Sequence, residues 1–169
     1  MIVIVGLSHR TAPIEVRERY ALAEDAQEAL AKSVMDGGRA DGAMVLSTCN
    51  RTEIILSFGG PPPDGDSIQR LLMREASEAT PDDIGVFYRY EGEAALLHLF
   101  RVAASLDSLV VGEPQILGQL KDAQRRAEKA MASGMIVGGH VVRIMADEAA
   151  GDYGDPEFLG VYGKVPETD

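Results

Sequence analysis

Apolar residues recur along this chain at two different periods, and the switches between them mark its elements. Residues 2–7 (IVIVGL) form a short β-branched run closed by Gly6, which predicts a buried strand. Val16, Tyr20, Leu22, Ala26, Leu30 and Val34 then recur at helical spacing between Ile14 and Met35, before Gly37-Gly38 ends the pattern. This predicts a helix, in one piece or two. Ala43–Leu46 and Ile54–Phe58 read as two more strands, separated by the polar segment STCNRTE.

Beyond the Gly/Pro/Asp segment GGPPPDGD at 59–66, a second helix is predicted from Ser67 to Ala79, stopped near Pro81. Tyr88-Arg89-Tyr90 reads as a last short strand. A helix follows from Glu91 to Leu106, with Leu96, Leu97, Phe100 and Ala104 along its apolar face. GEPQILGQ opens another that runs to about Ala130, with Pro114 suited to its first turn. Strands and helices in this order predict an α/β fold of the α+β sandwich kind: a small, mostly antiparallel sheet packed with helices, then a long helix and an irregular tail.

Composition narrows the class. With 169 residues, 46% hydrophobic and 25% charged, the chain suits one sizeable core. No run reaches the roughly 18 apolar residues of a membrane helix. The opening MIVIVGLSHR lacks a basic stretch ahead of its apolar segment, so it reads as a strand rather than a signal, and a cytoplasmic address with no membrane partner is expected. Against 16 basic residues stand 27 acidic ones, a net charge of -11. That argues against broad electrostatic binding to nucleic acid; no DNA partner is expected, and any RNA contact must be local.

The chain has one cysteine, Cys49, which rules out an internal disulfide, and it has no partner thiols for a structural zinc site. Two roles remain: a small core filler, with Arg51 paired to Glu53, or a reactive thiol. Its setting in S47-T48-C49-N50-R51-T52-E53, a connection between two predicted strands, favours exposure. A nearby guanidinium such as Arg51 lowers a thiol pKa and raises the thiolate fraction. No Cys/His or carboxylate group at ligand spacing suggests a metal.

Three segments and their spacing carry a resemblance. GLSHRTAPIEVRE (6–18), LSTCNRTEI (46–54) and HLFRVAASLDSLVVGEPQILGQLKDA (98–123) closely resemble the N-terminal catalytic domain of glutamyl-tRNA reductase, over about the first 130 residues. The resemblance implies that Cys49 attacks the ester joining glutamate to tRNA, giving a thioester that NADPH reduces to glutamate-1-semialdehyde in tetrapyrrole synthesis. It assigns the glutamyl pocket to Thr48, Asn50 and Arg51 and to Ser108, Glu113, Pro114, Gln115 and Gln119. It sets His98 near the thiol, as proton shuttle or orienter of the ester. It implies glutamyl-tRNA as partner and admits glutamate-1-semialdehyde aminomutase as a second.

Each residue type also has a plain role. Arg51 has a planar fork that fits a carboxylate, though that would compete with thiol activation. Glu113 near a helix start is favoured by the dipole with or without a substrate ammonium to bind. Gln115 and Gln119, four apart, share a helix face, where glutamines are often only solvated. His98 suits a half-buried structural role as well as a catalytic one. His9 reads as the anchor of a turn with Thr11 and Pro13.

Family members continue into a Rossmann-type NADPH domain and a helical dimerisation domain, neither of which this sequence displays. GMIVGGHVV has glycines at the wrong spacing for a dinucleotide fingerprint, so no NADPH site is expected in this chain. Residues 131–169 hold two basic residues against seven acids and are expected to be an unmatched acidic, Gly-rich extension. Three function classes remain: an acyl-transfer enzyme domain acting through Cys49, a non-catalytic module that binds glutamyl-tRNA or a protein partner, and an unrelated thiol hydrolase acting on a small ester.

Overall fold

The computed structural model describes residues 1–63, 65–76, 78–107 and 115–130. Strand β1 (Ile2–Ser8) leads into two helices, α1 (Ile14–Arg19) and α2 (Glu24–Asp36), then β2 (Gly42–Ser47) and β3 (Arg51–Ser57). Helix α3 (Gly65–Glu75), a 3-10 segment (Pro81–Val86), β4 (Tyr88–Glu91), α4 (Gly92–Ala103) and α5 (Gln115–Ala130) complete the order. The four strands form one sheet, β2-β3-β1-β4, antiparallel at every pairing. Thus the sandwich expected from the pattern is the one formed, and its sheet is antiparallel throughout. The extension at 131–169 lies outside the described residues.

Helices cover both faces. Val3, Val5, Val45, Ile54 and Leu56 meet Leu30 and Val34 of α2 and Ile68, Leu71 and Leu72 of α3. On the other face Ile2, Ile4, Met44, Leu46 and Ile55 meet Ala95, Leu99 and Val102 of α4 and Ile116, Leu120 and Ala123 of α5. β1 is buried along its whole length because it lies inside the sheet with both faces covered, so its sequence is a continuous apolar run rather than an alternation. The edge strand β2 is sheltered where α2 and α5 meet: Arg126 reaches Glu24 at 3.2 Å and Gln27 at 2.9 Å.

Two differences from the expected pattern bear on function. β3 begins at Arg51 rather than Ile54, which draws Arg51 and Glu53 into a buried strand. α4 is also turned from its predicted face. It buries Ala95, His98, Leu99 and Val102, while Leu97 is 60% exposed and Phe100 lies at the surface. An apolar pattern gives no weight to His98, yet it is the residue that the sheet draws inward.

Candidate functional site

The Cys49 segment is the turn of the β2–β3 hairpin. Ser47 faces Thr52 in the register, and Thr48 N donates to Arg51 O at 2.8 Å, leaving Cys49 and Asn50 at the tip. Thr48 Oγ1 accepts from the backbone N–H groups of Asn50 and Arg51, both at 3.2 Å, which satisfies the turn locally. Cys49 is exposed and Asn50 half-buried.

The turn after β1 holds this tip. His9 N donates to Asn50 O at 2.8 Å, and Arg17 donates from Nε to Cys49 O at 3.4 Å and from Nη1 to Ala12 O at 2.9 Å. The 8–11 turn is closed by Thr11: its N–H reaches Ser8 O at 2.9 Å, while its Oγ1 accepts from Ser8 N at 3.1 Å. Pro13 contributes its carbonyl to the first turn of α1, accepting from Arg17 N at 3.1 Å. The His9 ring is half-buried, and its Nδ1 has no hydrogen-bond partner among the described residues. Burial, followed by the charge of Arg51, pushes its pKa below the usual 6.5.

Beside this turn lies a buried polar cluster. Glu53 Oε1 accepts from three side chains: Arg51 Nη1 at 2.8 Å, Tyr88 OH at 2.5 Å and His98 Nε2 at 2.7 Å. Arg51 Nη2 donates to Asp107, through both its carbonyl and its carboxylate, the latter at 3.3 Å. Asp107 is held on its other oxygen by Arg10 at 2.9 Å. Arg51 and Glu53 are 1% and 0% exposed. Burial alone would push the Glu53 carboxyl up, but the His98 hydrogen bond, the Arg51 charge and the Tyr88 hydroxyl together hold it below the usual carboxylate range. Arg51 is likewise held charged by Glu53 against its own burial. Burial and the Glu53 charge push the Tyr88 hydroxyl pKa well up.

An ionised Glu53 can only accept, so His98 Nε2 must be the donor. In its neutral form the ring then keeps Nδ1 as an acceptor. Tyr90 stacks on it with ring centres 4.6 Å apart, fixing its plane. His98 also lines a 240 Å³ cleft with Ser8, Arg10, Tyr88, Leu97 and Asp107. Cys49 is not among the lining residues. The 8–11 turn joins the two, bonding the Cys49 tip through His9 and walling the cleft with Ser8, Arg10 and Thr11.

Of the residues singled out from sequence, the fold brings together Thr48, Cys49, Asn50, Arg51 and, through Glu53, His98. Arg51 has its fork engaged by Glu53, the pairing that was one of its three readings, and by Asp107, which no reading of the sequence supplied. Gln119 is half-buried on α5, one turn from Gln115, whose side chain lies outside the described residues, as do Ser108, Glu113 and Pro114. Glu53, Tyr88, Asp107 and Arg10 were missed as members of the site. The available signal was an Arg-x-Glu pair directly before the apolar run Ile54–Leu56: two charges on one face of a strand need buried partners.

The fold and this cluster define a small antiparallel α/β sandwich that presents a thiol on a hairpin tip. Residues 5–146 match the family model described as glutamyl-tRNAGlu reductase, N-terminal domain, and the chain belongs to that family. It is 37% identical over 143 residues to a glutamyl-tRNA reductase of Syntrophotalea carbinolica, covering 85% of this chain and 32% of that protein. With the enzyme of Myxococcus xanthus it shares 43% over 149 residues, covering 86% and 31%. The solved glutamyl-tRNA reductase from Methanopyrus kandleri superimposes with a TM-score of 0.67 at 28% identity, covering 89% of this chain and 34% of that one. The chain therefore spans about a third of the length of the relatives it matches.

Proposed function

We propose that this chain performs the acyl-transfer half of glutamyl-tRNA reduction in tetrapyrrole synthesis. The Cys49 thiolate attacks the ester carbonyl that joins glutamate to the terminal ribose. A carbon–sulfur bond forms, the ester carbon–oxygen bond breaks, and the ribose oxygen leaves and takes up a proton, so that a glutamyl thioester remains on Cys49. Aminoacyl esters are already activated, so a thiolate needs no full catalytic triad to attack one. The single observation that carries this reading is an exposed thiol on a tip that the 8–11 turn ties to a cleft containing His98.

In this reading Thr48 and Asn50 hold the glutamyl group from the hairpin side, and Ser108, Glu113, Pro114, Gln115 and Gln119 from the later segment; Arg51, buried and engaged by Glu53 and Asp107, positions the hairpin rather than touching the substrate. Arg10, half-exposed on the cleft and paired with Asp107, is a further cation for the side-chain carboxylate. His98 is the proton carrier for the leaving oxygen. In the full-length family reaction NADPH would supply the hydride, and the thioester would give glutamate-1-semialdehyde as the Cys49 thiolate leaves; the aminomutase is the proposed downstream partner. Among the described residues the sheet is wholly antiparallel, so they form no Rossmann-type strand–glycine turn–helix crossover of the kind that cradles a pyrophosphate.

Mass spectrometry of the chain mixed with glutamyl-tRNA tests the proposal. The expected result is one glutamyl mass on the wild type and none on Cys49→Ala. Absence of the adduct, or an equal adduct in the variant, rejects the thiol chemistry. Equal binding of wild type and Cys49→Ser with no adduct in either identifies a binding module instead.

A further inference from the structure

β2 and β3 run away from the Cys49 tip, and at their other end Asp41 and Phe58 border a groove of 680 Å³ between the end of α2 and the side of α3. Three exposed arginines stand on it: Arg39 just past α2, and Arg70 and Arg74 on α3. Arg70 and Arg74 are four residues apart and so share one helix face. The carboxylate among the described lining residues is Asp41, whose Oδ2 is turned onto the Gly59 N–H. One wall is the Pro61–Pro63 segment, held by Arg89, which donates to Pro63 O at 3.1 Å.

Among the described lining residues, three guanidinium groups stand against the one carboxylate of Asp41. A chain of net charge -11 repels polyanions in general, so three guanidinium groups around one groove select where a polyanion can approach. Spacing narrows the choice further. The six residues of β2, at about 3.3 Å each, put roughly 20 Å between the groove and the Cys49 tip. An ester at the 3′ end of an aminoacylated RNA sits at the tip of a short unpaired tail, and the duplex stem begins several nucleotides back.

We propose that the groove bearing Arg39, Arg70 and Arg74 binds backbone phosphates of the RNA stem whose aminoacylated 3′ end reaches Cys49. This inference rests on the reading of Cys49 given above. Guanidinium forks match phosphate oxygens, and the proline wall holds the groove open without ordering on binding. Phe58 is buried beneath the groove, so no ring is offered for a base to stack on. The contact is therefore to backbone and shape rather than to base sequence.

The test pairs two substrates with the exposed double variant Arg39→Ala/Arg74→Ala. Cys49 adduct formation from glutamyl-tRNA is expected to slow about tenfold. Formation from the glutamyl ester of adenosine alone, which has no stem, is expected to proceed at the wild-type rate. Filter binding of tRNA should lose about one unit of salt slope per arginine removed, and the double Arg→Lys variant should recover part of it. Equal slowing with both substrates, or an unchanged tRNA affinity and slope, overturns the groove assignment. A wild type that gives no adduct with either ester overturns the Cys49 reading instead, and the salt slope still decides the groove.

Discussion

Glu53 and Tyr88 lie on strands that do not touch, yet a 2.5 Å hydrogen bond joins them across Gly6, which faces both in the register of β1. A Cβ at position 6 would lie 2.8 Å from Glu53 Cα and Cγ and would run into Thr52 O, so only glycine leaves room for the carboxylate. The buried cluster under the Cys49 turn depends on that missing side chain.

Gly6→Ala should therefore destabilise the fold by about 2 kcal/mol, since the obstacle is backbone that cannot step aside. Chemical denaturation measures this as a lower midpoint at unchanged m-value. An alanine variant with the wild-type midpoint would show that β1 and β3 can separate without penalty.

Glu53→Gln removes the charge that Arg51 and His98 share. At neutral pH it should cost about 3 kcal/mol, because a buried guanidinium loses an ionic partner. The pH dependence gives a second signature. The Glu53 carboxyl is held below its ordinary 4.5, so the unfolded chain takes up the proton first; its contribution is present above pH 4.5 and is lost as pH falls through the lowered native pKa. His9, pushed below 6.5, acts in the same direction at milder acidity. Urea midpoints from pH 7 to pH 3 should fall more steeply for wild type than for Glu53→Gln; parallel curves would assign the acid sensitivity elsewhere.

Cys49, at the exposed hairpin tip, should react with a disulfide reagent such as DTNB in the native protein, to one equivalent and without denaturant. A thiol that reacts only after unfolding would contradict the exposed tip.

Thr48→Val keeps the shape of the side chain and removes the oxygen that accepts from Asn50 N and Arg51 N. The expected loss is about 1 kcal/mol in thermal stability, together with slower adduct formation on Cys49 as the tip loosens. Unchanged stability and adduct rate in this variant would mean that the backbone bonds from His9 and Thr48 suffice to hold the turn.

The order of strands and helices was readable along the chain because burial on one face repeats every two residues in a strand and about every 3.6 in a helix. The helical stretch after β1, the polar connection around Cys49 and the short strand at Tyr88 all came from such local signals; where the helix breaks, between Arg19 and Glu24, did not. β3 was read too short because Arg51 and Glu53 count as polar, and α4 was read on the wrong face because His98 does.

What the sequence determined by itself was the succession of elements, the single thiol in a polar connection, and the motifs that carry the family likeness. Only the tertiary structure decided that residues 51, 53, 88, 98 and 107 form one hydrogen-bonded network that reaches the Cys49 hairpin through Arg51. Periodicity reports neighbours along the chain. A charge enters a core only when distant strands and helices deliver its partners to the same place, and that depends on strand register and helix packing, which no local pattern encodes.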